Sequence, residues 1–151
     1  MQYYFDDLGR QDQLKLILDT WMDTPFRHKA GVKGVGCDCI HFVARVFQEM
    51  GLVTWHRNLI PEYSYDWHLH NPRELLAEGI ENTLNVEKMP LGALKKNGDI
   101  LLFHYGQASS HAAIFFDNYI YQSLADVGVC KIHISDRLFR KQLRFIYRVI
   151  E

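Results

Sequence analysis

Apolar and polar residues alternate with two different periods along this chain, and the change of period comes near Gly98. In LKLILDTWM, residues 14 to 22, Leu14, Ile17, Leu18 and Trp21 recur at helical spacing. Thr24-Pro25 ends that helix, because the residue before a proline is pushed out of the α region. KAGVKGVG, residues 29 to 36, holds three glycines and reads as a loop. Asp38 then caps a second helix running to about Met50, with Gly51 as its stop. Residues 54 to 71 mix aromatics with Asn, Pro and Ser and follow neither period. PRELLAEGI predicts a short helix opening on Pro72.

Beyond Gly98 the period falls to two. GDILLFHY, HAAIFF, YIYQSL, VCKIHI and LRFIYRVI predict strands. Helices first and antiparallel strands afterwards make an α+β fold, with N-terminal helices packed on an antiparallel sheet of about five strands. No repeat, low-complexity segment or linker divides the 151 residues, so a single domain over residues 1–151 is expected.

Composition narrows the partners. Hydrophobic residues make up 48% and charged residues 23%, as in an ordinary globular chain. A formal net charge of −1 leaves no basic footprint for nucleic acid. No apolar run approaches the ~18 residues of a membrane span. MQYYFDDLGRQDQ lacks the basic start and apolar core of a signal peptide, so synthesis in the cytosol is expected, with any action outside needing another export route.

The three cysteines, Cys37, Cys39 and Cys130, are too few for a disulfide scaffold. Cys39 shares a helix face with Phe42, Val43 and Val46, whereas Cys37 precedes the cap and has no such constraint. A thiol in the first turn of a helix meets the positive end of the macrodipole, which lowers its pKa and favours thiolate. The same N–H groups can receive an oxyanion. A buried structural cysteine is the competing reading. So is a zinc clip over Cys37-Asp38-Cys39-Ile40-His41, although the usual C-x2-4-C spacing is missing.

A cysteine nucleophile needs a base, and there are eight histidines. His28, His56, His68 and His70 sit in polar, loop-like stretches. His41 lies about 200° around the helix from Cys39, and His104 and His133 lie on strands without an obvious partner. His111 opens the strand HAAIFF, followed by two alanines that leave space beside it. With Asp117-Asn118 as a two-residue hairpin loop, Phe116 pairs with Tyr119 and Ala113 with Gln122. Gln122 then becomes the diagonal neighbour of His111 on one face, able to accept its second N–H and fix the tautomer. A solvated strand glutamine is the plainer alternative. Ser123 falls on the opposite face, where Ser123→Ala is expected to be nearly silent. Cys39, His111 and Gln122 make a Cys-His-polar constellation.

TPFRHKAGVKGVGCDCIHFV, NGDILLF and SSHAAIFFDNYIYQS together resemble the NlpC-type papain-like cell-wall peptidases, and most of all the branch carried on phage tails and gene-transfer particles. The resemblance runs from Trp21 to Tyr147 and implies a papain-like core with Cys39 as nucleophile, His111 as base and Gln122 as third residue. The chain departs from it at two places. Phe26 stands where tyrosine is common, removing a hydroxyl near the thiolate, and Ile40-His41 stands for Ser-Gly. The resemblance implies hydrolysis of a peptidoglycan stem-peptide bond, between D-glutamate and the diamino acid, with no metal or organic cofactor. It also implies a place in the virion tail beside tail-tip or baseplate proteins, acting on the host wall. Tyr63, Tyr65 and Trp67 would wall the groove or pack in the core. An amidase or acyltransferase of the same fold, an inactive tail-tip structural protein, a free lysin and a zinc-binding module are the alternatives.

Overall fold

The computed structural model describes residues 2–63, 67–70 and 72–151, apart from the side chains of His68, His70, Leu138 and Phe139. Tyr65 therefore lies outside the described residues. Helix α1, Leu8–Trp21, starts a turn and a half before its apolar repeat, because Asp7 caps it by accepting from the Arg10 N–H at 2.9 Å. Leu14, Leu18 and Trp21 are its buried positions. The glycine-rich segment is a small hairpin rather than a loop, with β1 (Gly31–Val32) paired to β2 (Gly36–Cys37) and Gly34 at φ +78° in the turn. Asp38 caps α2, Cys39–Glu49, which stops before Gly51 at φ +79°.

Among the described residues, the excursion that follows carries a short helix, α3 (Trp67–His70). Helix α4 covers Leu75–Thr83, so Pro72 stands ahead of it and not at its first position. Its cap residue Glu74 makes no cap bond, because its carboxylate is turned to the Ser109 N–H (3.0 Å) and to Arg144 (3.3 Å).

The sheet has six strands rather than the five expected: β3 (Val86–Met89), β4 (Ile100–His104), β5 (Ser109–Phe116), β6 (Tyr119–Leu124), β7 (Gly128–His133) and β8 (Leu143–Val149). All pairs are antiparallel, in the order β3-β8-β4-β5-β6-β7. The extra strand, VEKM, is a short edge strand whose alternation is too brief to see in sequence. A fifth helix, α5 (Arg137–Gln142), leads into β8.

Alternate residues of the central strands face two clusters. Ile100, Leu102, Ala112, Ile114 and Tyr121 pack with Leu14, Leu18, Phe42, Val46 and Phe47 of α1 and α2. Leu101, Phe103, Ala113, Phe115, Ile120 and Ile146 form the second cluster on the other face. NGDILLF has a structural reason at each end of its Gly-Asp. Gly98 adopts φ +91°, and a Cβ there would lie 2.2 Å from the Phe5 ring. Asp99 holds a buried two-point pair with Arg148 of β8, at 2.9 Å from each oxygen. Among the described residues no helix is long and apolar enough to cross a membrane.

Candidate active site

Cys39 is the first residue of α2, and the backbone leading to it is fixed from three directions. The Cys37 N–H donates to the Pro25 carbonyl (2.9 Å), the Arg27 N–H to the Cys37 carbonyl (3.2 Å), and the Asp38 N–H to the Ala30 carbonyl (3.1 Å). Segment 24–26 is itself pinned to β7, where the Val129 N–H donates to the Thr24 carbonyl at 2.8 Å. Gly128 is required at that crossing, since a Cβ would come within 2.5 Å of the Thr24 oxygen.

Asp38 does more than cap. One carboxylate oxygen accepts from the His41 N–H (2.9 Å) and the His41 ring (2.7 Å), the other from the Lys29 N–H (2.8 Å) and the Tyr63 hydroxyl. Burial raises the Asp38 carboxyl, but the bonds from His41 and Tyr63 outweigh it and hold the group below its ordinary range. His41 was expected to face away. It does turn from Cys39, but it is buried against Asp38 and tilted beside Trp55, with Gly31 packed on its ring. Tyr63 supplies a hydroxyl to the cleft despite Phe26, and burial together with the Asp38 charge keeps it protonated. Its pairing across 25 residues with the nucleophile's neighbour left no mark in the sequence.

The opposite wall comes from β5 and β6. Asp117 and Asn118 take φ 49° and 67°, the two positive values of a type I′ turn, and Phe116 pairs with Tyr119 in the predicted register. His111 Nε2 lies 2.7 Å from Gln122 Oε1, both side chains buried. A carbonyl oxygen only accepts, so Nε2 carries the proton and Nδ1 keeps its lone pair. Phe103 of β4 pairs with His111, and the next residue, His104, pairs with Ser109, which leaves Ser110 as the extra residue of a bulge. The freed Ser110 carbonyl accepts from the Cys39 thiol at 3.7 Å.

Cys39, His111, Asp38, Phe26, Tyr63 and Trp67 all line one cleft of about 370 Å³, together with His28, Ile40, Tyr105 and Ser123. His28 belongs to it rather than to a solvated loop, 3.9 Å from Asp38 and edge-on to Tyr63. His133 bonds Ser135 outside the cleft, and the side chains of His68 and His70 lie outside the described residues.

The cysteines separate clearly. Cys37 is wholly buried, with Sγ 3.7 Å from the Ser123 hydroxyl, and burial pushes its thiol up to about 11. Cys39 stays partly open to the cleft. Its thiol is pushed up to about 12, by burial and then by the Asp38 charge, against backbone N–H groups of Ala112, Ile40 and Cys39 that pull the other way. The helix start therefore does not produce the resting thiolate expected from the macrodipole; desolvation wins. Burial likewise lowers His111, against the Gln122 bond that raises it. Both shifts favour the uncharged forms, thiol and imidazole. Ser123 also departs from expectation. It is buried, and its hydroxyl donates to the Cys37 carbonyl at 2.8 Å. Among the described residues no group of three or more His, Cys, Asp or Glu could hold a metal ion.

The NlpC/P60 family model matches residues 23–144. No curated protein sequence matches the chain. Among solved structures, a lipoprotein-like NLP/P60 family protein from Staphylococcus aureus aligns with a TM-score of 0.68 at 16% identity, covering 100% of this chain and 44% of that one. An NlpC/P60 family protein from Bacillus cereus gives 0.64 at 18% identity, over 93% and 40% of the two chains. The peptidoglycan hydrolase RipB from Mycobacterium tuberculosis gives 0.60 at 17% identity, over 95% and 66%. At such identities the likeness is one of fold, and the chain spans less than half the length of the first two.

Proposed function

The chain belongs to the NlpC/P60 family, and from that premise we propose that it is a cysteine peptidase hydrolysing stem-peptide bonds of bacterial peptidoglycan. The observation that carries the reading is the His111–Gln122 bond at 2.7 Å on the wall of the cleft that Cys39 enters from a helix start. Because both groups favour the uncharged form, attack and proton transfer run together. The Cys39 sulfur bonds to the scissile carbonyl carbon while its proton passes to His111 Nδ1, with Nε2–H held by Gln122. The Cys39 N–H meets the oxyanion. Collapse breaks the C–N bond as the imidazolium returns its proton to the leaving amine, and His111 then deprotonates the water that hydrolyses the thioester.

The D-glutamate–diamino acid bond as target rests on the sequence resemblance. So does a place on a phage tail or related particle, beside tail-tip or baseplate proteins. Tyr63 and Trp67 in the cleft wall suit a peptide in extended form.

Digestion of purified peptidoglycan tests the reading. New stem-peptide amino groups without new reducing ends are expected, lost in Cys39→Ala and kept in folded Cys37→Ala. Release of reducing ends by the pure protein, or turnover surviving in Cys39→Ala, sinks it.

A further inference from the structure

Four strands carry a cross-strand run that reaches the cleft at His111: Phe103 on β4, His111 on β5, its diagonal neighbour Gln122 on β6 and Cys130 on β7. Phe103 faces His111 directly, and Gln122 faces Cys130 directly. Opposed residues of an antiparallel pair share a face, so Gln122 has His111 on one side and the Cys130 sulfur on the other. Its two amide ends are not equivalent. Oε1 is taken by His111, and Nε2 is buried with no hydrogen bond formed among the described residues. The side chain is fully buried, so neither end can turn to water.

The geometry points to Cys130 as a positioning residue of this site, whose sulfur is the acceptor that keeps the Gln122 amide nitrogen turned away from His111. This rests on the cysteine peptidase reading for its consequence, though not for its chemistry. If the amide flips, its NH2 faces His111 Nε2, which must then be the bare nitrogen, and the ring proton moves to Nδ1. An imidazole protonated at Nδ1 cannot take the Cys39 proton. One orientation of a buried amide thus decides whether the base is armed, and sulfur, a weak acceptor, supplies the preference from the far side. Burial raises the Cys130 thiol and a contact from Gln122 pulls it back, consistent with N–H directed at the sulfur. Nε2 closes no hydrogen bond to the sulfur, which suits a bias of modest size.

The test uses the full chain labelled with 15N-histidine, with His111→Gln assigning the His111 ring signals. In the wild type Nε2 should be the protonated nitrogen. Cys130→Val, similar in shape but without an acceptor, should move part of the population to the Nδ1–H form, and Cys130→Ser should restore the wild-type pattern. In peptidoglycan turnover, Cys130→Val should lower kcat roughly threefold to tenfold at unchanged KM, the scale of one weak hydrogen bond. It should add nothing in a Gln122→Leu background. A folded Cys130→Val with the wild-type His111 pattern overturns the proposal, and Cys130→Ala carries the same test should the valine variant fail to fold. If the tautomer shifts as described but wild-type protein cleaves no stem peptide, the positioning role stands and the peptidase reading falls.

Discussion

On one wall of the cleft, Asp38 gathers four donors around a single buried carboxylate, from the His41 backbone and ring, Lys29 and Tyr63. On the other, His111 makes one side-chain hydrogen bond among the described residues, to Gln122, and burial lowers the imidazole. The first wall is held by charge satisfied locally, the second by strand register. Removing a member of the first leaves buried donors unpaired, so the loss falls on stability. Removing Gln122 from the second leaves the sheet intact and one buried donor unpaired, so more of the loss falls on chemistry.

Asp38→Ala is the harshest test. It deletes a helix cap worth about 1 kcal/mol and orphans the Lys29 and His41 donors, so a total loss of about 2–4 kcal/mol is expected, read from denaturant unfolding. The carboxyl also sets an acid limit. Its folded pKa lies below the unfolded value of about 3.9, so its contribution is complete above that pH and fades as pH falls through the folded value. His111 adds to the same trend from higher pH. Its folded pKa is lowered, so below about 6.5 the unfolded chain takes up a proton that the folded chain refuses. A loss below 1 kcal/mol in Asp38→Ala would show that the four bonds are incidental.

Gln122→Leu should invert that pattern. Replacing Gln122 by an apolar side chain removes a buried amide but leaves the His111 Nε2–H without its acceptor, so a loss of about 1–2 kcal/mol is expected, below that of Asp38→Ala. Turnover should fall roughly 10–100-fold, short of the ~10⁴-fold cost of altering a charged orienting residue in a serine triad. The acid limb of kcat/KM, which the lowered His111 places below about 6.5, should move further down once the Gln122 bond that raises it is gone. Equal losses of stability and turnover would erase the contrast between the walls.

This contrast also tracks what the sequence made legible. Asp117-Asn118 is a turn whose chemistry fixes register, and register alone carried the pairing of His111 with Gln122. The position of Cys39 at a capped helix start was equally local. The Asp38 network was not legible, because Tyr63 and Lys29 reach it from segments with no periodic signal. The state of the thiol failed for a related reason. A helix start is visible in sequence, but the burial that overrides it comes from β5 packing on α2, which no spacing records. The edge strand VEKM and the hairpin around Gly34 were too short to show a period.

Ser123→Ala sharpens the comparison at one residue's distance. Ser123 shares β6 with Gln122 but points to the helix side, where its hydroxyl holds the Cys37 carbonyl. Its loss should cost about 1 kcal/mol of stability and leave the kcat of folded protein within about twofold, a change worth under 0.5 kcal/mol. A large fall in kcat with unchanged melting would place Ser123 among the groups that act on substrate.

The smallest effect expected is that of Tyr63→Phe. A hydrogen bond to a carboxylate is stronger than a neutral one, but Tyr63 is only half-buried, and water can replace its hydroxyl at Asp38. A loss of about 1 kcal/mol or less follows. The sign of its pH dependence is more telling than its size. The Tyr63 bond is among those that lower Asp38, so without it the carboxyl titrates nearer its ordinary value. Stability lost on acidification should then be smaller and should end at higher pH than in the wild type, and the two curves should converge once Asp38 is protonated in both. Thermal melts from pH 3 to 7 read this directly. If turnover collapses while the melting curves stay superimposed, the hydroxyl serves the substrate in the cleft. Tyr63 would then belong with the wall that holds chemistry rather than the wall that holds charge.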